Sequence, residues 1–166
     1  SGKLDGKPRR KVVNDMWTDD EIMAGVLAEF QTLCQIPHPS GHEAQLAQML
    51  QAQLSAMGFP PQLDAAGNLI CEVPGTSGLE AKPRLALQAH MDMVCVGAPD
   101  YVPDQDPIRT CLKDDFLCTD GRSSLGADCG IGLSAVMYLL RRNRSHVPLR
   151  LIFTVDEERG LAGAKK

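Results

Sequence analysis

This chain has six cysteines but no C-x-x-C pair. It has no apolar run approaching the ~20 residues that a helix needs to cross a bilayer, so no membrane span is expected. No apolar stretch follows Lys7, Arg9, Arg10 and Lys11, so no secretory signal is expected either. Basic residues are not in excess. The net charge is −4, which does not suggest a nucleic-acid surface. There is no internal repeat and no low-complexity segment. What remains is a sequence of 166 residues, 43% hydrophobic and 23% charged, which is enough for one domain with a real core. Cys34 and Cys71 lie in apolar stretches, and the cysteines read as reduced thiols of a cytoplasmic protein.

Residues 1–16 are polar and read as a flexible tail. Thr18 and Glu21 form a capping box, and Met23, Val26, Leu27, Phe30, Leu33 and Cys34 predict one apolar helix face behind it. Pro37 and Pro39 end that helix. Ser40 and Glu43 read as a second capping box. Leu46, Leu50, Leu54 and Met57 stripe the second helix, and Gly58 is placed to stop it. Gln62–Ala65 and Leu69–Val73, joined through Gly67-Asn68, predict a hairpin; so do Ile108–Leu112 and Phe116–Thr119. After the Gly-rich SLGADCGIG, the residues Ile131, Ala135, Val136, Leu139 and Leu140 predict a third helical face. Arg84–Ala89 and Leu149–Val155 are continuous apolar runs of the kind buried on both faces of a sheet. Helices alternating with such strands predict an α/β sandwich.

Three polar clusters stand out. His90 and Asp92 follow the first apolar strand, where open α/β sheets place their ligand sites. Two residues apart in extended backbone, they project to one side. A metal-binding His usually donates its other ring N–H to a carboxylate or carbonyl, and His-x-Asp supplies candidates for that pair. Asp128 lies within the Gly-rich stretch, where it reads either as a helix cap or as a ligand. Asp156, Glu157 and Glu158 end the second strand. Such a run is commonly a solvated surface, but adjacent carboxylates repel one another and a dication relieves that. One His with several carboxylates suits zinc, manganese or cobalt. His38, His42 and His146 are not placed as ligands. Cys129 reads as structural.

HMDMV, then SLGADCGIG, then a strand ending in DEERG resemble the metal-site motifs of the co-catalytic zinc peptidase family, which includes carboxypeptidases, aminoacylases, tripeptidases and Xaa-His dipeptidases. Together with IPHPSGHE, the spelling is most similar to the Xaa-His branch. The resemblance implies a three-layer α/β/α catalytic domain, of which residues 17–166 are the N-terminal part. It implies two Zn2+ per complete site, with Mn2+ or Co2+ as alternatives. By the same resemblance His90, Asp128 and Glu158 are metal ligands, with Asp128 bridging through a cis peptide to Cys129. Asp92 orients His90, and Glu157 is the general base. The implied reaction is hydrolysis of dipeptides such as carnosine by a water shared between the metals. A homodimer is implied for the complete protein, through a lid or dimerisation domain beyond this segment, together with one more acidic ligand and a distal His. With those absent, each metal is one ligand short of the usual three. The chain alone is therefore expected to bind metal weakly and to turn over little. An N-acyl amino acid deacylase and a non-catalytic metal-binding remnant are the alternatives.

Overall fold

The structure is a computed structural model and describes residues 18–165; the expected tail at 1–16 lies outside them. Helix α1 runs Asp19–Leu33, and the predicted capping box opens it. Glu21 N–H donates to Thr18 Oγ1 at 3.2 Å, and Thr18 N–H donates to Glu21 Oε2 at 3.3 Å. Phe30 and Leu33 are buried, whereas Met23 is 70% exposed and leaves the expected apolar face. Helix α2 runs Ala44–Ala56 and buries Leu46, Ala47, Leu50 and Leu54. It stops where expected, at Gly58, whose φ of 89° lies in the left-handed region that favours glycine.

The capping box expected from Ser40 and Glu43 does not form. Glu43 is the N-cap of α2, but its side chain makes no capping bond. Both side chains have partners elsewhere: Ser40 donates to Asp92, and Glu43 accepts from Gly41 and Asp156. Burial makes those distant bonds worth more than a solvated helix cap.

Four strands form the main sheet: β1 Gln62–Leu63, β2 Leu69–Val73, β3 Leu85–His90 and β6 Leu149–Thr154, in the order β1-β2-β6-β3. Strand β6 lies between β2, antiparallel, and β3, parallel. The central position expected for the 149–155 run is therefore found. The expectation that the 84–89 run is buried on both faces is not. Among the described residues β3 pairs only with β6, and Leu85, Ala86 and Gln88 are exposed.

Leu69, Cys71, Val73, Leu149, Leu151 and Phe153 point to one face, where they share a core with Leu46, Leu50, Leu54, Leu133, Met137 and Leu140 from the helices. The opposite face carries Glu72 and Arg150, which pair with each other and are exposed. Among the described residues, then, helices cover one side of the sheet, giving two of the three expected layers. Strands β4 (Thr110–Lys113) and β5 (Phe116–Thr119) make a separate hairpin. Its turn residues Asp114 and Asp115 have φ of 49° and 65°, as a two-residue hairpin loop demands.

Helix α3, Ala127–Arg142, starts earlier than expected and contains non-helical backbone at Asp128 and Cys129. The bond between those two residues is cis, as the resemblance implied. Its buried face is Gly130, Leu133, Ser134, Met137, Tyr138 and Leu140, not the expected one through Ile131 and Ala135. Gly130 decides this roll: a Cβ there would lie 2.6 Å from the Phe30 ring, so only glycine admits α1 so closely.

All six cysteines are free. Burial pushes the Cys34 thiol up to about 12 and the Cys71 thiol up to about 11, and both are buried, whereas Cys111 is exposed. The thiolate is the reactive form. In mildly alkaline buffer, iodoacetamide will therefore modify Cys111 first and leave Cys34 and Cys71 untouched until the chain unfolds. Peptide mass spectrometry reads the order, and early labelling of Cys71 would contradict the packing.

Candidate metal centre

Because β3 and β6 are parallel, their carboxyl ends finish side by side, with His90 opposite Thr154. Met91 N–H donates to the Thr154 carbonyl at 2.7 Å and locks the two exits together. The Asp128 segment reaches the same place from the start of α3. His90 is the hub. Its Nδ1 lies 2.8 Å from the Asp92 main-chain carbonyl, and its Nε2 lies 3.0 Å from Asp128 Oδ1 and 3.8 Å from Glu157 Oε2.

The tautomer follows from the partners. A carbonyl only accepts, so Nδ1 carries the hydrogen, and in the neutral ring Nε2 is left with a lone pair. That lone pair faces carboxylate oxygens, which also only accept. A cation between them, either a proton or a metal, reconciles three acceptors. The forces on the ring's charge reflect the same conflict. Burial disfavours its charged form, but the Asp92 carbonyl, the Asp128 carboxylate and the charges of Asp92 and Glu157 outweigh burial and raise its pKa above the ordinary value. The donor set of one imidazole and several carboxylates fits a divalent transition metal.

Of the carboxylate and carbonyl that the spacing offered as partners for the ring, Asp92 supplies the carbonyl. Its carboxylate stands 3.5 Å from Nδ1, and the ring bonds its backbone instead. The carboxylate is engaged elsewhere. Oδ1 accepts Glu157 N–H at 2.9 Å, and Oδ2 accepts Glu158 N–H at 3.1 Å and the Ser40 hydroxyl at 2.7 Å. Burial alone would raise its pKa. The Glu157 amide, the Ser40 hydroxyl, the Glu158 amide and the nearby His90 together hold it below the usual carboxylate range.

Asp92, Asp128, Glu157 and Glu158, the acids singled out in the sequence, thus each come close to His90. His90, Asp128 and Cys129 offer donor atoms that all lie within 4.8 Å of one another, as do His90, Glu157 and Glu158. Asp128 and Glu158 each meet His90, and no such group among the described residues contains both. The Cys129 side chain packs against the main core, and its Sγ fills the space above Gly132, where a Cβ would come within 2.6 Å. Ser40 and Glu43, which fit the pattern of a helix cap, instead bond to this cluster, and His38 is buried where Asp92 and Glu43 act on its charge. The signal was the polar residues of PHPSGHE, but that segment also reads naturally as a helix start.

No protein-family model matches the chain. It is 40% identical over 138 residues to the cytosol non-specific dipeptidase of Escherichia coli, covering 81% of this chain and 28% of that protein. Among solved structures it matches the aminoacylhistidine dipeptidase from Vibrio alginolyticus with a TM-score of 0.81 and 36% identity, over 86% of this chain and 30% of that one. A tripeptidase from Staphylococcus aureus matches with a TM-score of 0.73 and 31% identity, over 86% of this chain and 39% of that one. The sequence identity and the α/β fold shared with these relatives define the class as the M20 peptidases. The chain belongs to that family, and it spans between 28% and 39% of the length of these three relatives.

Titration of the purified chain with Zn2+ or Co2+ in a calorimeter tests the donor set. His90→Ala and Asp128→Ala will each remove most of the binding, while Cys129→Ser will leave it unchanged because its sulfur is a packing group. A loss in Cys129→Ser equal to that in His90→Ala would make the thiol a ligand.

Proposed function

We propose that this chain carries the first part of a metal-dependent dipeptidase site, which hydrolyses the peptide bond of dipeptides, those of Xaa-His type such as carnosine among them. The observation that carries the reading is the His90 ring, fixed through Nδ1 and aiming Nε2 at Asp128 and Glu157. His90, Asp128 and Glu158 would hold the metals, with zinc the favoured ion and Mn2+ or Co2+ the alternatives. A bound metal pair supplies Lewis acidity, polarising the scissile carbonyl and acidifying a water. Relatives named as dipeptidase, aminoacylhistidine dipeptidase and tripeptidase favour peptides over N-acyl amino acids as substrates. Residues 17–166 are read as the N-terminal part of the catalytic domain. A cytoplasmic location and a homodimeric complete protein belong to the same reading.

The chain's own residues divide the work. His90 presents its free nitrogen because the Asp92 carbonyl holds the opposite edge of the ring. The Asp92 carboxylate grips the amides of Glu157 and Glu158, so it sets both side chains at once. Glu157, half-buried beside the ring, takes the proton of the attacking water and passes it to the leaving amine.

Glu157→Gln tests that last role, because it keeps the side chain's size and removes the base. In the complete metal-loaded enzyme, turnover of carnosine or alanyl-histidine will fall by roughly 10²–10⁴ while metal content stays constant. Parallel loss of metal and turnover would mean that Glu157 is a ligand instead. Glu158→Gln is expected to show that parallel loss.

A further inference from the structure

We propose that Glu43 is a positioning residue for Glu157 and Glu158, an inference that rests on the hydrolase reading above. Glu43 begins α2 and is only 6% exposed. A helix start in water would use this side chain as a cap. Here Oε1 leaves the helix, accepts Gly41 N–H at 3.0 Å and crosses 113 residues of sequence to accept Asp156 N–H at 2.9 Å. Asp92 takes the next two amides, those of Glu157 and Glu158. Three consecutive backbone N–H groups are therefore held by two buried carboxylates from different parts of the chain.

The segment they hold does not favour its own shape. Asp156 has φ of 57°, in the left-handed region that a non-glycine residue adopts at a cost. External bonds must select that conformation, and the Asp156 amide has Glu43 as its partner. Arg159 closes the arrangement. Its Nε donates to the Asp156 carboxylate, and its Nη2 lies over Gly41, 2.6 Å from where a Cβ would stand. The guanidinium thus counters the carboxylates of Glu43, Asp92 and Asp156, whose oxygens lie within 4.8 Å of one another. With Glu43 removed, Asp92 still grips the following two amides, but the turn leading into them is free to relax. Glu157 then loses its fixed approach to His90.

Three substitutions separate geometry from charge and from folding. Glu43→Gln keeps an acceptor oxygen in place and removes the charge. Glu43→Asp keeps the charge and withdraws the oxygen by one methylene. Glu43→Ala removes both. Amide hydrogen exchange, read by NMR on the 166-residue chain, follows Asp156, with Val155 as control because Asn68 Oδ1 holds its amide at 3.0 Å. Asp156 will exchange faster in the Ala and Asp variants and not in the Gln variant, while Val155 stays protected in all three. In the complete metal-loaded enzyme, kcat for a dipeptide will fall about 10- to 100-fold in the Ala and Asp variants with KM little changed, as a misplaced catalytic group predicts, and Gln will restore it. If Val155 and Asp156 lose protection together, or if Gln fares no better than Ala, Glu43 is only a structural residue and the inference falls. A folded, metal-loaded Ala variant with wild-type kcat would overturn it as well. If the complete metal-loaded wild-type enzyme hydrolyses no dipeptide at all, the hydrolase reading falls and takes this inference with it, a result distinct from the others.

Discussion

The interaction on which this arrangement depends is the set of bonds made by the Asp92 carboxylate. Its side chain is fully buried, and an unpaired carboxylate there would cost several kcal/mol. Two amides from the exit of β6 and a hydroxyl from the loop before α2 satisfy it. Each bond crosses at least 52 residues of sequence, so one side chain ties together three segments that have no local reason to meet. The bonds are charge-assisted, which makes each stronger than its neutral counterpart. Their combined pull keeps the carboxyl below its ordinary pKa, so it stays an acceptor across the physiological range.

That carboxylate can do this only because the sheet delivers its partners. Strands β3 and β6 are parallel and in register over six residues, from Leu85 opposite Leu149 to His90 opposite Thr154. Register here is enforced by burial. Leu149, Leu151 and Phe153 face the helices, and a slip of one residue would turn Arg150 into the core. The hydrophobic pattern of β6 therefore fixes which residues emerge beside His90. Packing and chemistry are linked through one alternation along one strand.

The elements with self-sufficient signals were legible in the sequence. The Thr18 capping box, the α2 stripe ended by Gly58, and the two apolar strands each carry a local pattern with one physical reading. The nearness of Asp128, Glu157 and Glu158 to His90 was legible for a related reason, since all four sit at the ends of such elements. What could not be read was pairwise. The roll of α3 depends on Phe30 finding Gly130, 100 positions further along the chain. The exposure of β3 depends on how many neighbours it has, not on its own apolar run. Ser40 and Glu43 match a capping pattern, but the partners that outcompete the cap lie 52 and 113 residues away.

Burial separates the acids that hold the site from those free to react in it. Composition does not distinguish them, because Glu43, Asp92, Asp128, Asp156, Glu157 and Glu158 are all carboxylates near strand or helix ends. The Asp92 side chain is 0% exposed, and those of Glu157 and Asp128 are 31% and 88% exposed. A buried carboxylate must commit every oxygen to a donor, so Asp92 is spent on amides and cannot also serve as a ligand without leaving them unpaired. An exposed one has water as its alternative partner and can exchange it for a cation at little cost. Asp128 and Glu158 are in that position. Glu157 lies between the two, shielded enough to feel His90 and open enough to meet a solvent molecule. Acids paired to amides inside, acids open to water or a cation outside, and one imidazole at the boundary are the division that desolvation favours.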